Sequence, residues 1–126
     1  MTNEDSIFSK IIKKEIPAKI RYEDDDFIVI DDINPIAPVH VLIITKKAYQ
    51  TLEDIDLSDI DMHAKILLTA RKVAKLLDIE KNYKLFMNVG KKVQQVHHVH
   101  LHLYGGWDNN KSAEQLDQES TELINS

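Results

Sequence analysis

Three histidines at alternate positions, His98, His100 and His102, carry the strongest chemical signal in this chain. Side chains of an extended strand alternate between its two faces, so the three imidazoles are expected to lie on one face. The intervening Val99 and Leu101 would lie on the other face, which suits a hydrophobic core. Three adjacent imidazoles gain little as packing groups and are hard to satisfy with hydrogen bonds. The pattern therefore indicates a chemical site.

Two kinds of chemistry fit a row of imidazoles. The first is zinc binding, because a His-X-His pair on a strand can hold this metal. Three imidazoles at i, i+2 and i+4 spread over about 13 Å, so all three cannot easily chelate one ion. A zinc site would need a further ligand such as His40.

The second kind is phosphorus chemistry without a metal. One imidazole nitrogen would attack phosphorus while its neighbours donate hydrogen bonds to the phosphoryl oxygens and fix its tautomer. An ordinary histidine pKa of about 6.5 leaves much of the side chain neutral and nucleophilic near pH 7. A single histidine on a half-buried strand is more often a core residue than a catalyst, but three on one face favour function.

The composition is typical of one globular domain. The chain has 126 residues, 43% of them hydrophobic and 29% charged, which is enough for one core and too little for two. A formal net charge of −5 argues against binding to nucleic acid polymers. The lack of cysteine removes disulfides and cysteine zinc sites and fits a cytoplasmic protein. The N-terminus is unlike a signal peptide and no apolar run reaches membrane-spanning length, so we expect no membrane association.

The apolar pattern also predicts the elements that must position the histidines. A first helix is expected to begin at Asp5 or Ser6 and to stop before Pro17. The other predicted elements are strands 20–23, 27–31 and 39–44, a long helix over about 57–79, and strands 83–89 and 96–104. Few helices among short strands predict an α+β fold, a five-stranded antiparallel sheet with a short N-terminal helix and one long central helix. Residues 1–107 would form a single domain, and residues 108–126 a polar tail.

The run His-Val-His-Leu-His-Leu-Tyr at 98–104 resembles the signature of the histidine triad (HIT) family, His-φ-His-φ-His-φ-φ with φ apolar. The likeness extends to SIFSKIIKKEIPAKIRYEDDD, to DDINPIAPVHVLII and to the Asn88-Val89-Gly90 turn, which resemble the histidine triad nucleotide-binding (Hint) branch. It covers about residues 6–107. Several stretches in the right order imply the histidine triad domain.

The resemblance implies a role for each matching residue. His100 would be the nucleophile, His98 and His102 would hold phosphate oxygens and orient the neighbouring ring, and His40 would be a supporting histidine. Asp32 matches the acid that binds the ribose hydroxyls. The other matching positions are Asn88 near ribose and phosphate, Gln94 at the usual glutamine, Gln95 near the leaving group, and Ile7, Phe8, Ile11, Ile30, Ile33 and Leu42 around the base. The apolar residues around the base could instead be ordinary core residues. Asp32 could instead be a solvated carboxylate in a turn.

The resemblance further implies hydrolysis of a purine nucleoside phosphoramidate, or a related adenylylated compound, to the nucleoside monophosphate in two displacements. It implies a homodimer that needs no metal and no cofactor. The alternatives are a diadenosine polyphosphate hydrolase, a purine-nucleotide-binding or interaction module with incidental turnover, and a zinc hydrolase. The chain departs from the family at Val93, where a glycine is customary, at Gln95, where Ser or Thr is frequent, and at His97, where a tyrosine is frequent.

Overall fold

Five strands form one antiparallel sheet in the computed structural model, which describes residues 6–107. The strand order is β1-β2-β3-β5-β4. The elements are α1 (Ile7–Ile12), β1 (Ile20–Glu23), β2 (Phe27–Asp31), β3 (Val39–Thr45), a 3-10 turn (Leu52–Asp54), α2 (Ile60–Leu76), β4 (Tyr83–Phe86) and β5 (His100–Gly105). The predicted α+β fold is confirmed. The predicted polar tail, residues 108–126, lies outside the described residues.

Alternation along the inner strands divides the core into two layers. On one face of the sheet, Val41 and Ile43 of β3 and Leu101 of β5 pack with the buried side of α2. On the other face, Leu42 and Ile44 of β3 pack with α1. Between residues 6 and 107, neither helix is long and apolar enough to cross a membrane.

The long helix is shorter than the predicted range 57–79. It begins after Asp59, whose side chain accepts a hydrogen bond from the Met62 backbone at 3.0 Å and so caps the first turn. It ends at Leu76 because Asp78 adopts a left-handed backbone with φ of 58°. The apolar residues that extend the pattern, Leu57 and Ile79, lie in the flanking turns.

The last two strands are also shorter than predicted. β4 ends at Phe86 rather than at residue 89, and β5 begins at His100 rather than at residue 96. The late start of β5 is explained by Val99: its carbonyl still accepts from Thr45 N at 3.4 Å, which continues the register with β3, but its N–H donates to the Tyr49 carbonyl at 2.9 Å, beyond β3. These bonds tie the segment before β5 to the end of β3. His98 therefore precedes the strand instead of belonging to it.

The end of β5 depends on a glycine, because Gly105 lies against the buried side chain of Ile79. A Cβ on Gly105 would lie 2.6 Å from Ile79 Cδ1 and 3.1 Å from its Cβ. We expect Gly105→Ala to lower the free energy of unfolding by about 1–3 kcal/mol, as overpacking of a dense core does. Urea denaturation followed by circular dichroism measures this change.

A compensating variant identifies the cause. Ile79→Val removes Cδ1, so Gly105→Ala should cost less in the Ile79→Val background than in the wild type. Equal costs in both backgrounds would contradict the overpacking explanation.

Candidate active site

A cavity of about 600 Å³ lies on the face of the sheet that carries α1. This volume is in the range of small-molecule pockets. The sequence-predicted residues that line it are Ile7, Phe8, Ile11, Ile30, Asp32, Ile33, His40, Leu42, Asn88, Gln95, His100 and His102. The structure thus brings together residues from α1, β2, β3 and β5 with the loops that follow β2 and β4.

His100 has a fixed tautomer. Its Nδ1 lies 2.6 Å from the backbone carbonyl oxygen of His98, and a carbonyl can only accept a hydrogen bond. Nδ1 therefore carries the proton, and Nε2 keeps its lone pair. Burial lowers the pKa of His100, against the hydrogen bond to His98, which raises it, so the ring is neutral at pH 7. The Phe8 ring packs edge-on against it, with centroids 5.0 Å apart.

His102 has the opposite tautomer, with its proton on Nε2. This is determined by the donor chain, a series of hydrogen bonds that starts at a backbone N–H and passes through His40. The Ile36 N–H donates to Nδ1 of His40 at 3.3 Å, so the proton of a neutral His40 is on Nε2. His40 Nε2 lies 3.0 Å from Nδ1 of His102, which accepts that proton's hydrogen bond. The remaining nitrogen of His102, Nε2, is then a donor. Two neighbouring imidazoles, His100 and His102, thus offer one lone pair and one N–H.

Burial keeps this donor chain neutral. The pKa of His102 is lowered to about 4, mainly by burial and also by the neighbouring His100 and His40, against Asp32, which raises it. Burial also lowers the pKa of His40 more than the Asp32 carboxylate raises it. At pH 7 these side chains act as hydrogen-bonding groups rather than as cations.

Asp32 is the carboxylate held beside the imidazoles. Its Oδ1 accepts from the Asn34 backbone at 2.8 Å, and its Oδ2 lies 3.3 Å from Nε2 of His40. Its backbone N–H donates to the carbonyl of His40 at 3.0 Å, which anchors the turn that leaves β2. The position next to the cavity leaves oxygen lone pairs available to a ligand's hydroxyl groups.

The structure places His98 and Gln94 away from the cavity lining. His98 is fully buried, and its Nε2 donates to the Thr45 carbonyl at 2.6 Å. Gln94 is also buried and braces the loop before β5: its amide donates to the Gln50 carbonyl at 2.9 Å, and its Oε1 accepts from Gly90 N at 2.7 Å. In this geometry neither residue lines the cavity, and both hold the backbone of the segments next to it.

Two aromatic residues that the sequence interpretation left out also line the cavity. Tyr104 lies two residues after His102 on β5, so continued alternation along the strand could have identified it. Its ring packs edge-on against His40, with centroids 4.4 Å apart. Phe86 stands beside His102 because β4 pairs with β5 in that register, which no local sequence pattern reveals.

One group of side chains has the geometry of a metal site. The candidate ligand atoms of Asp32, His40 and His102 all lie within 4.8 Å of one another. Ligands bound to tetrahedral zinc at about 2.0–2.1 Å stand about 3.3–3.5 Å apart. Two of the three spacings, 3.0 Å (His40 to His102) and 3.3 Å (His40 to Asp32), are close to that value, and the third is within 4.8 Å, so these three side chains could hold a zinc ion.

The lowered pKa of His102 makes stability depend on pH. An unfolded histidine takes up a proton at about pH 6.5, whereas His102 in the fold resists protonation down to about pH 4. Between these values the unfolded chain binds more protons, so the free energy of unfolding should fall as the pH falls from 6.5 to 4. Nitrogen-15 NMR of the ring should show His102 titrating near pH 4.

His102→Asn isolates this contribution. The variant should lose less stability than the wild type between pH 6.5 and 4, measured by urea denaturation at each pH. A His102 ring that titrates near pH 6.5 would contradict the expected neutral donor.

Comparisons with known proteins show the family of this chain. Residues 13–109 match the family described as HIT domain. The chain is 48% identical over 104 residues to a HIT-like protein of Synechocystis sp., which covers 82% of this chain and 91% of the relative. It is 40% identical over 105 residues to a 14 kDa zinc-binding protein of Brassica juncea, covering 81% of this chain and 93% of the relative.

A solved structure of the same family has a similar fold. A HIT family hydrolase from Clostridium thermocellum matches with a TM-score of 0.77 at 46% identity, covering 89% of this chain and 99% of that chain. These similarities span most of the sequence and include the elements that carry the histidines. The chain belongs to the HIT domain family.

Proposed function

We propose that the chain is a cytoplasmic, homodimeric hydrolase of purine nucleoside phosphoramidates that acts through a covalent nucleotidyl-histidine intermediate. The observation that carries the proposal is the pair of fixed tautomers, a nucleophilic Nε2 on His100 beside a donating Nε2–H on His102. The Clostridium thermocellum relative is named a hydrolase, which agrees with a catalytic role.

The cavity offers a suitable environment for each part of such a substrate. The apolar side chains provide a wall for a purine base, namely Ile7, Phe8, Ile11, Ile30, Ile33 and Leu42. The Asp32 carboxylate would accept hydrogen bonds from the ribose hydroxyls. His102 Nε2–H and Asn88 would donate to the phosphoryl oxygens, and Gln95 would lie toward the leaving group.

The reaction would run in two displacements at phosphorus. In the first, the lone pair of His100 Nε2 forms a bond to phosphorus while the phosphorus–nitrogen bond of the substrate breaks, and the leaving nitrogen takes a proton from solvent to depart as ammonia or an amine. The His98 carbonyl accepts from Nδ1–H throughout, which stabilises the positive charge on the substituted ring. In the second, water attacks phosphorus, the bond to Nε2 breaks, one proton leaves to solvent, and the nucleoside monophosphate forms.

A second candidate function is zinc binding. It is favoured by the spacing of Asp32, His40 and His102, and the Brassica juncea relative is named a zinc-binding protein. Zinc held by these three side chains would polarise a phosphoryl oxygen at the open position. The metal-free proposal is preferred because burial and the donor chain already give His102 an N–H for that oxygen.

The homodimer is supported by apolar surface on the α2 side of the sheet. β4 is an edge strand, and its Leu85 is partly exposed on that side. α2 also carries exposed large apolar residues, namely Ile60, Leu67, Leu68 and Leu76. An unpaired strand edge and exposed large apolar side chains are both features that a second protein chain commonly covers. We propose that a second copy of this chain covers it.

His100→Ala is expected to lower the release of AMP from adenosine 5′-phosphoramidate by about 10³-fold or more, because it removes the attacking nitrogen. The assay uses purified protein with a metal chelator present and follows AMP by chromatography. His63→Ala is the matched control, since His63 lies on α2 outside the cavity lining, and it should retain the wild-type rate.

The same assay separates the alternatives. Wild-type activity that disappears with chelator and returns with zinc would replace the metal-free mechanism by the zinc site. Faster turnover of diadenosine polyphosphates than of the phosphoramidate would assign the chain as a dinucleotide hydrolase. Folded wild-type protein that binds AMP but releases none from either substrate would contradict an enzymatic role and leave nucleotide binding.

Leu67→Glu is expected to convert the homodimer to a monomer, because it places a charge in the proposed apolar interface. Size-exclusion chromatography with light scattering measures the mass directly. Ile20→Glu is the control: Ile20 is also exposed, but it lies on β1 at the opposite edge of the sheet, so this variant should remain dimeric. A monomeric wild type, or two dimeric variants, would contradict this interface.

A further inference from the structure

A buried polar contact joins α1 to the histidine row behind the cavity. Ser6 caps α1, with its Oγ accepting from Ser9 N at 3.0 Å. The same Oγ lies 3.2 Å from Nδ1 of His98, and the Ser9 Oγ lies 3.5 Å from that nitrogen. The exposed fractions of Ser6, Ser9 and His98 are 8%, 3% and 0%. Two serine hydroxyls thus meet one imidazole in the interior.

The other side of the His98 ring determines the direction of this contact. His98 Nε2 lies 2.6 Å from the Thr45 carbonyl, which can only accept, so Nε2 carries the proton of the neutral ring. Nδ1 is therefore an acceptor, and a serine hydroxyl donates to it. The Ser6 hydroxyl also lies 3.2 Å from Ser9 Oγ, so the proton donated to Nδ1 comes either from Ser6 directly or from Ser9, to which Ser6 then donates. The ring is held between the first helix and the end of β3 in both cases.

His98 transmits this restraint to the nucleophile through its backbone. Its carbonyl accepts from Nδ1–H of His100, the bond that leaves Nε2 of His100 free. The Phe8 ring also packs edge-on against both imidazoles, with centroids 6.0 Å from His98 and 5.0 Å from His100. A shift of the His98 ring would therefore displace both the carbonyl and the aromatic side chain that orient His100.

We propose that Ser6 and Ser9 are positioning residues for the nucleophile: their hydroxyls hold the His98 ring so that its backbone carbonyl keeps His100 oriented with Nε2 toward the cavity. This inference rests on the proposed function for its kinetic consequence, but not for its structural one. It goes beyond helix capping, because the serine contact with His98 acts on the rate of the chemical step. The triad is thereby coupled to a helix far from it in sequence.

The test replaces both hydroxyls without removing the helix cap. Glycine is nearly as good an N-cap as serine, so the double variant Ser6→Gly/Ser9→Ala removes the donors to His98 at little cost to α1. We expect kcat for adenosine 5′-phosphoramidate to fall about tenfold, as for loss of one buried hydrogen bond. KM should change by about twofold or less, because the residues that touch the substrate are unchanged.

Two further variants control for other effects. Ser6→Thr keeps a hydroxyl and should retain most of the wild-type kcat. Thr51→Ala removes the N-cap of the 3-10 turn outside the cavity and should leave kcat unchanged. A double variant with wild-type kcat would overturn the proposal. So would one with raised KM and unchanged kcat, because α1 would then serve only as a wall of the pocket.

A spectroscopic measurement tests the positioning without relying on catalysis. Nitrogen-15 NMR of the wild type should show His98 protonated on Nε2 and His100 on Nδ1, and the Nδ1–H signal of His100 should weaken or shift in the double variant. An unchanged His100 signal would overturn the proposal. If the wild type fails to hydrolyse the phosphoramidate, the proposed function fails while this measurement still decides the role of the serines.

Discussion

The hydrogen bond from His100 Nδ1–H to the backbone carbonyl of His98, 2.6 Å long, is the interaction on which the rest of the site depends. In a continuous strand, the carbonyl of residue 98 would bond to a neighbouring strand. The chain instead leaves the ladder before His100: the Val99 N–H donates to Tyr49, which lies beyond β3, and β4, the neighbour on the other side, ends at Phe86, opposite His102. The break in the strand thus frees an acceptor for an imidazole and defines the tautomer of His100.

This break also explains where sequence reasoning succeeded and where it did not. Short apolar runs separated by an acidic turn and a proline loop predicted the bounds of β1 and β2, and those of β3 to within one residue. The runs in β2 and β3 are continuous because both faces of these strands are packed. The alternation of the last strand continues through His98, and nothing in the local pattern records that its backbone has turned away from the sheet. The ends of α2 were missed for a related reason: Leu57 and Ile79 continue the apolar period, while Asp59 and Asp78 determine where the helix stops.

The sequence predicts those residues of the site that lie on one face of the sheet or on one helix. His100, His102, His40 and Leu42 lie on the same face because alternation fixes the direction of each side chain and the sheet register pairs β3 with β5. Phe86 depends on the register between β4 and β5, and His98 depends on contacts with Ser6 and Thr45. These are long-range relations, which composition and spacing do not contain.

The charges that line the cavity determine how a ligand would be oriented in it. Among its described lining residues the only formally charged side chains are Asp31 and Asp32, and Asp31 is paired with Arg21 at 3.0 Å. Burial keeps His40 and His102 neutral, so neither offers a full positive charge to offset Asp32. A phosphoryl oxygen would be repelled by the Asp32 carboxylate and attracted by the N–H of His102, whereas a hydroxyl would donate to the carboxylate. These two groups would therefore determine which end of a bound nucleotide faces His100.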